Sequence, residues 1–187
     1  MLLTRATHRF SVAEYDQMID QGILTENDRV ELIRGEILKK MSIVEPHAAC
    51  VKRLIQLLVG LFGSRTCLGA QDPVRLEDSE PEPDLSLLKK RDDFYAGCHP
   101  GPEDIFLLVE VADSSLEFDR GVKIPIYAEN GIVESWIVNL IDKTLEVYRN
   151  PQGGAYADTL VLRAGDQVEL LSLPGTLISV ADVLGIK

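Results

Sequence analysis

Three acidic residues stand in or beside apolar, strand-like runs: Glu31 in RVELIRGEILKK, Asp84 in PEPDLSLLKK and Glu110 in DIFLLVEVAD. Glu110 has apolar neighbours on both sides, and an ionised carboxylate in such a setting costs free energy unless a cation or a set of donors compensates it. If the segments holding Asp84 and Glu110 pair as neighbouring strands, their carboxylates can converge on one hard divalent ion, Mg2+ or in its place Mn2+. Backbone carbonyls and water would complete the oxygen shell. Each acid also has a plainer reading. Asp84 can cap a turn, Glu110 can pair with a buried Arg or Lys, and Glu31 can be a strand salt-bridge partner. Acids in central strands are uncommon without a role, so the two together favour the metal site.

The segment FDRGVKIPIYAENG spaces Asp119, Lys123 and Tyr127 as one helical face, with Gly121 and Pro125 weakening or kinking it. Asp119 then either steers Lys123 or forms an i, i+4 surface pair with it. The plain reading of Lys123 is a solvated helix lysine. His47, at the start of a helix, reads as a cap or core-edge residue rather than a base. Gln71 can point into the same cleft or simply occupy a sheet edge. Trp136 and Tyr148 read as core or oligomer contacts, since nothing places them as a base-stacking platform.

The elements that must position these groups follow from periodicity and punctuation. SVAEYDQMID sets Ser11 three residues before Glu14, a capping box that opens a short helix ending near Gly22. RVELIRGEILKK reads as two strands around an Arg34-Gly35 turn. From Pro46, the residues Val51, Leu54, Ile55, Leu58 and Leu61 or Phe62 recur at helical spacing up to Gly63. GAQDPVRLED, DLSLLKK and DIFLLVEVAD read as consecutive strands, the last central and covered on both faces. RDDFYAGCHPGPED is a loop, ESWIVNLIDKTLEVYRN a hairpin, and the tail adds strands and a short helix capped by Ser179. This order describes an α/β or α+β domain with a mixed central sheet.

The chain has 187 residues, 45% of them hydrophobic, which suits one domain over residues 1–187 with a sizeable core. It lacks a run of about 18 apolar residues, and MLLTRATHRF lacks a signal-peptide pattern. The expectation is therefore a cytoplasmic protein with no membrane partner. Cys50, Cys67 and Cys98 are odd in number and form no CxxC pair, which argues against a disulfide framework or a zinc site. A formal charge of −11 weighs against a general electrostatic footprint on nucleic acid. It leaves room for an acidic metal site with local cations. P-loop, GxGxxG, GxSxG and HExxH patterns are absent.

PEPD before a strand, LLVEVAD as the next strand and then DRGVKIPIYAENGIVESWIVN resemble a widespread bacterial family of restriction-endonuclease-like proteins in the PD-(D/E)XK nuclease superfamily. RVELIRGEIL and His47 extend the resemblance from about Ser11 to Arg149. It implies a mixed sheet flanked by helices, with Asp84 and Glu110 as magnesium ligands. A lysine two residues beyond the acid would orient the attacking water, but that position is Ala112. The resemblance implies Lys123, from the following helix, in its place, and Glu31 as the acid completing the metal shell. The implied activity is Mg-dependent hydrolysis of DNA, by a homodimer where both strands are cut. Two rivals remain open. One is a noncatalytic scaffold or regulatory protein, favoured by the charge and by Ala112. The other is a hydrolase of a non-nucleic phosphate ester.

Overall fold

A computed structural model describes residues 7–186. Residues 1–6, most of the stretch read for a leader, lie outside the described residues, as does residue 187. Helix α1 (Val12–Asp20) begins at the expected capping box: the Ser11 hydroxyl accepts from the Glu14 amide, and the Glu14 carboxylate accepts from the Ser11 amide. Strands β1 (Val30–Ile33) and β2 (Glu36–Lys39) form the expected hairpin. Its turn needs positive φ at Arg34 and Gly35, 50° and 75°. Gly35 also meets Phe10 so closely that an added Cβ would lie 2.9 Å from the Phe10 carbonyl oxygen.

Helix α2 (Glu45–Phe62) follows, then β3 (Thr66–Gly69), β4 (Leu85–Lys89) and β5 (Ile105–Ala112). The chain continues through α3 (Leu116–Phe118), a wide π-helical turn at Asp119–Lys123, and α4 (Ile124–Glu129). Strands β6 (Glu134–Asn139), β7 (Thr144–Gln152), β8 (Ala155–Leu162), β9 (Gln167–Leu170) and β10 (Leu173–Ser179) lead to α5 (Val180–Leu184). The central sheet runs β3-β4-β5-β6-β7-β8, antiparallel throughout except for β5 beside β6. β1-β2 and β9-β10 form separate two-stranded sheets.

Strand alternation divides the core into two layers. Leu107, Val109 and Val111 of β5 pack with Leu54, Leu58 and Phe62 of α2. Leu108 and Ala112 pack on the opposite face with Ile124, Ile126 and Tyr127. β5 is therefore covered on both sides, as its apolar run implies, and Glu110 belongs to the second face. Trp136 is a fully buried core residue.

Two expectations are corrected. GAQDPVRLED is not a strand: β3 ends at Gly69, and residues 70–79 cross the end of the sheet as irregular chain before Glu80 bridges Leu32. Pro73 has no N–H for a ladder, and Gln71 sits at φ 59°, which breaks extended backbone. The helix through Lys123 is not regular either. Pro125 cannot donate to the Gly121 carbonyl and crowds it, so the turn widens and the Ile124 amide reaches back to Asp119. Asp119 and Lys123 are both buried and form no ion pair within 4 Å, so the surface pair, one of the two readings of Asp119, does not form. Among the described residues no helix is long and apolar enough to cross a membrane.

Candidate functional site

The register of the sheet brings the first two acids together. Leu85 lies opposite Val109 and Ser86 opposite Leu108, so one further step sets Asp84 opposite Glu110 on the face away from α2. The neighbouring ladder, Gly69 opposite Ser86, extends two steps to set Gln71 beside Asp84, and the Gln71 amide donates to the Asp84 carbonyl at 3.2 Å. Gln71, two residues past β3, and Asp84, one residue before β4, thus line up with Glu110 of β5 at the end of the sheet. Glu31 of β1 faces the row, and Lys123 of the π-helical turn reaches it from the other side.

Lys123 Nζ lies 3.3 Å from Glu110 and 3.4 Å from Glu31. Lys123 Nζ is 3.3 Å from both Glu110 oxygens and donates to Oε2, while the Tyr127 hydroxyl donates to Oε1. Glu31 also accepts from the Glu82 amide at 3.1 Å. Asp84 accepts from three donors: the Val111 amide at 2.8 Å, His47 Nε2 at 3.0 Å and Gln71 Nε2 at 3.2 Å. Asp119 accepts from the Ser115 hydroxyl at 2.7 Å. Glu31, Asp84, Glu110, Asp119 and Lys123 are all buried side chains, yet all line one cavity of about 400 Å3. Its other walls are the segment Leu38–Val44 and the stretch from Asp113 to Phe118.

The electrostatics are lopsided. Burial raises the Glu110 pKa well above the carboxylate range, against Lys123, while Asp119 and Asp84 push it further. Burial lifts Asp119 to about 6, with Asp84 and Glu31 adding to the rise. Lys123 moves the other way. Burial favours losing its proton, but Glu110, Glu31, Asp119 and Asp84 outweigh burial and hold the ammonium charged. Burial would raise Asp84 too, but hydrogen bonding and charge from His47, with the Val111 amide, overcome it and hold the carboxyl below its usual range. The hydrogen bond to Asp84 in turn raises His47. Four carboxylates therefore share one lysine and one histidine, and burial first, with the neighbouring carboxylates adding to it, raises the pKa values of Glu110 and Asp119.

The structure thus brings Glu31, Asp84, Glu110, Lys123 and Asp119 to one pocket, although the spacing pairs Asp119 with Lys123. His47 and Gln71, given plainer readings from the sequence, are hydrogen-bonded to Asp84. For Gln71 this is the cleft reading rather than the sheet-edge one; the His47 contact, 37 positions apart in sequence, has no local pattern to announce it. Ala112 is fully buried in the second core layer, on the same face of β5 as Glu110. Tyr148 is half-buried against the second core layer, in keeping with its reading as a core contact, and its hydroxyl donates to Glu146. As potential ligands the site offers carboxylate oxygens. Among the described residues no three His, Cys, Asp or Glu side chains stand in a ready ligating geometry.

A crystal structure from Anabaena variabilis, described as that of "a putative nuclease belonging to DUF820", superposes on this chain with a TM-score of 0.74 at 17% identity. The overlap covers 94% of this chain and 98% of that one, and shows a shared fold. No curated protein matches the chain. The model of the Uma2 family, described as "Putative restriction endonuclease", matches residues 12–181, a span that holds every residue of the pocket, and the chain belongs to that family.

Proposed function

We propose that the protein is a metal-dependent nuclease that hydrolyses phosphodiester bonds of DNA at the Asp84-Glu110-Lys123 pocket. The observation that carries this reading is the buried cluster of carboxylates short of positive charge, drawn from four separate segments around one ammonium. Its donor set suits Mg2+ or Mn2+. Mg2+ is commonly held by one or two carboxylates, with water and substrate phosphate filling the remaining positions, so a preset cage of three protein ligands is not required. Asp84 and Glu110 would hold the ion, with Glu31 as a further oxygen donor. When bound, such an ion polarises a phosphate oxygen and lowers the pKa of its water.

The chain's own residues have distinct tasks. Lys123 is held protonated by its acidic neighbours, so near neutral pH it acts as a donor and positive charge rather than as a base. It can orient the attacking water and offset charge building on the phosphate. Tyr127 and Glu31 fix the two sides of the Glu110-Lys123 pair, and His47 with Gln71 sets the Asp84 carboxylate. Water adds to phosphorus as a phosphorus–ester oxygen bond breaks, with no covalent intermediate on the protein.

The test is incubation of plasmid DNA with purified protein and Mg2+ or Mn2+, beside Asp84→Asn and Lys123→Ala. Nicking or cleavage that disappears in both variants supports the reading. Cleavage that survives both overturns it, and inertness of the wild type with either metal would favour the scaffold reading to which Ala112 points.

A further inference from the structure

The rim of the pocket carries information that its floor does not. Between β2 and α2 the chain exposes three apolar side chains within four residues, Met41 at 52%, Ile43 at 45% and Val44 at 43%. All three line the mouth of the cavity, next to Leu38 and opposite the half-buried Phe118. The same side of the mouth carries the cavity's outer cations, Arg29, Lys39 and Lys40. Lys40 is tied to Glu82. Arg29 and Lys39 have no carboxylate within 4 Å among the described residues, and Arg29 donates only to the Met41 carbonyl. An apolar ridge and two uncommitted cations therefore stand side by side above an acidic floor.

Resting on the nuclease reading above, we propose that this rim selects unpaired DNA: Arg29 and Lys39 take backbone phosphates, and Met41, Ile43 and Val44 receive the face of an adjacent unstacked base. A duplex shows phosphates and sugars to its surroundings and hides base faces within the stack, so it has nothing to lay on the ridge. An unpaired strand offers both groups at neighbouring positions. Electrostatics point the same way. A chain of net charge −11 with two free rim cations cannot neutralise the roughly 6–10 phosphates whose contact gives a duplex binder its strong salt dependence. Two contacts on a single strand correspond to a slope of roughly −1.4 in log affinity against log salt.

Binding tests this separately from catalysis. Fluorescence anisotropy with Lys123→Ala, in Mg2+, compares a labelled single strand of about 20 nucleotides, longer than one such binding site, with the duplex of the same sequence; cleavage of the two is measured with the wild type. The expected result is tighter binding and faster cutting of the single strand. A Met41→Ser/Ile43→Ser variant should lose about five- to tenfold in strand affinity through lost apolar burial, and Lys39→Ala should halve the salt slope to roughly −0.7. Both changes fall on side chains at the rim and leave the pocket floor intact. Equal or stronger use of duplex, or a strand preference untouched by the rim variants, overturns the inference while leaving the nuclease reading in place. Strand binding that depends on the rim, without cleavage by the wild type, overturns the nuclease reading and keeps the rim. Neither binding nor cleavage overturns both.

Discussion

Two basic residues of the π-helical turn, Arg120 and Lys123, face buried glutamates on different sides, and the two pairs have opposite character. Arg120 grips Glu146 with Nε at 3.0 Å and a second nitrogen on the other oxygen, while Tyr148 and Asn139 donate to the same carboxylate. Burial alone would raise Glu146, but those donors leave its pKa below the ordinary value. Glu110 is as little exposed, at 3% in both cases, but lies deeper beneath the surface, and that burial raises its pKa. The difference lies in cover and partners. Glu146 sits under a half-exposed guanidinium that matches it in a two-pronged grip, whereas Glu110 shares one ammonium with Glu31 at the cavity floor, next to Asp84 and Asp119. A satisfied carboxylate adds to the stability of the fold, whereas an under-compensated one beside a cavity costs stability, which is the pattern expected where a carboxylate has a functional role.

The largest effects should fall on the Glu110 side and on activity. Glu110→Gln and Lys123→Ala should each lower DNA cleavage by about a hundred- to a thousandfold, the range typical of removing one preorganised charge or donor. Thermal unfolding of Glu110→Gln should move to higher temperature at pH 8, because a carboxylate pushed above its usual pKa is replaced by a neutral amide. The Glu146 side should show the reverse. Arg120→Met should cost about 2 kcal/mol of stability, less than the roughly 3–5 kcal/mol of a fully buried pair because the guanidinium is 38% exposed. It should keep its cleavage well below its unfolding temperature. Denaturant titrations beside cleavage rates check both. A stability loss in Glu110→Gln, or an activity loss in Arg120→Met without a stability loss, would erase the contrast.

Metal sharpens the same comparison at smaller scale. Roughly ten-fold excess of Mg2+ over its dissociation constant should stabilise the wild type by about 1.4 kcal/mol. Asp84→Asn and Glu110→Gln should lose that gain, and Arg120→Met should keep it. Calorimetric melting with and without the ion reads the result directly.

One half of this comparison is legible in the sequence. Glu110 is visible because a charge inside FLLVEVAD breaks an otherwise unbroken apolar strand, and Asp84 because PEPD precedes another. The two-residue period then puts both on one face once the strands pair. Lys123 is reachable only through resemblance, since Pro125 obscures the helix and its consequence, a widened turn, is a matter of backbone hydrogen bonding. Gln71 is legible only as one of two readings and His47 only as part of the resemblance, because each meets Asp84 only after α2 and the irregular chain beyond β3 have packed. Arg120 and Glu146 are silent: an arginine on a helix and a glutamate in TLEVY look like solvated surface until β7 comes beneath the turn. The same irregular chain explains why GAQDPVRLED reads as a strand: Val74 and Leu76 alternate into the second core layer without a ladder partner.

The smallest expected effect is on the pH dependence of stability, where the two sides again differ in sign. Asp119 titrates at about 6 when folded, against 3.8 as the ordinary value. The folded state therefore holds more protons than the unfolded state between those values, and stability from this group is present at low pH and lost as pH rises through 6. His47, also raised, contributes in the same direction as pH climbs past its folded pKa. Glu146 is lowered, so its contribution persists throughout this range and fades only below its ordinary 4.5. Metal-free protein should consequently lose stability from pH 5 to pH 8. Asp119→Asn, which keeps an acceptor for Ser115, should recover about 1 kcal/mol at pH 8, well under what the displaced Asp119 pKa would carry at roughly 1.4 kcal/mol for each tenfold change in proton affinity, because solvent in the cavity screens the carboxylate. Urea unfolding at pH 5, 6.5 and 8 measures it. If Asp119→Asn leaves the pH profile unchanged, the carboxylates around Lys123 are compensated after all, and the shortage of positive charge that argues for a bound cation disappears.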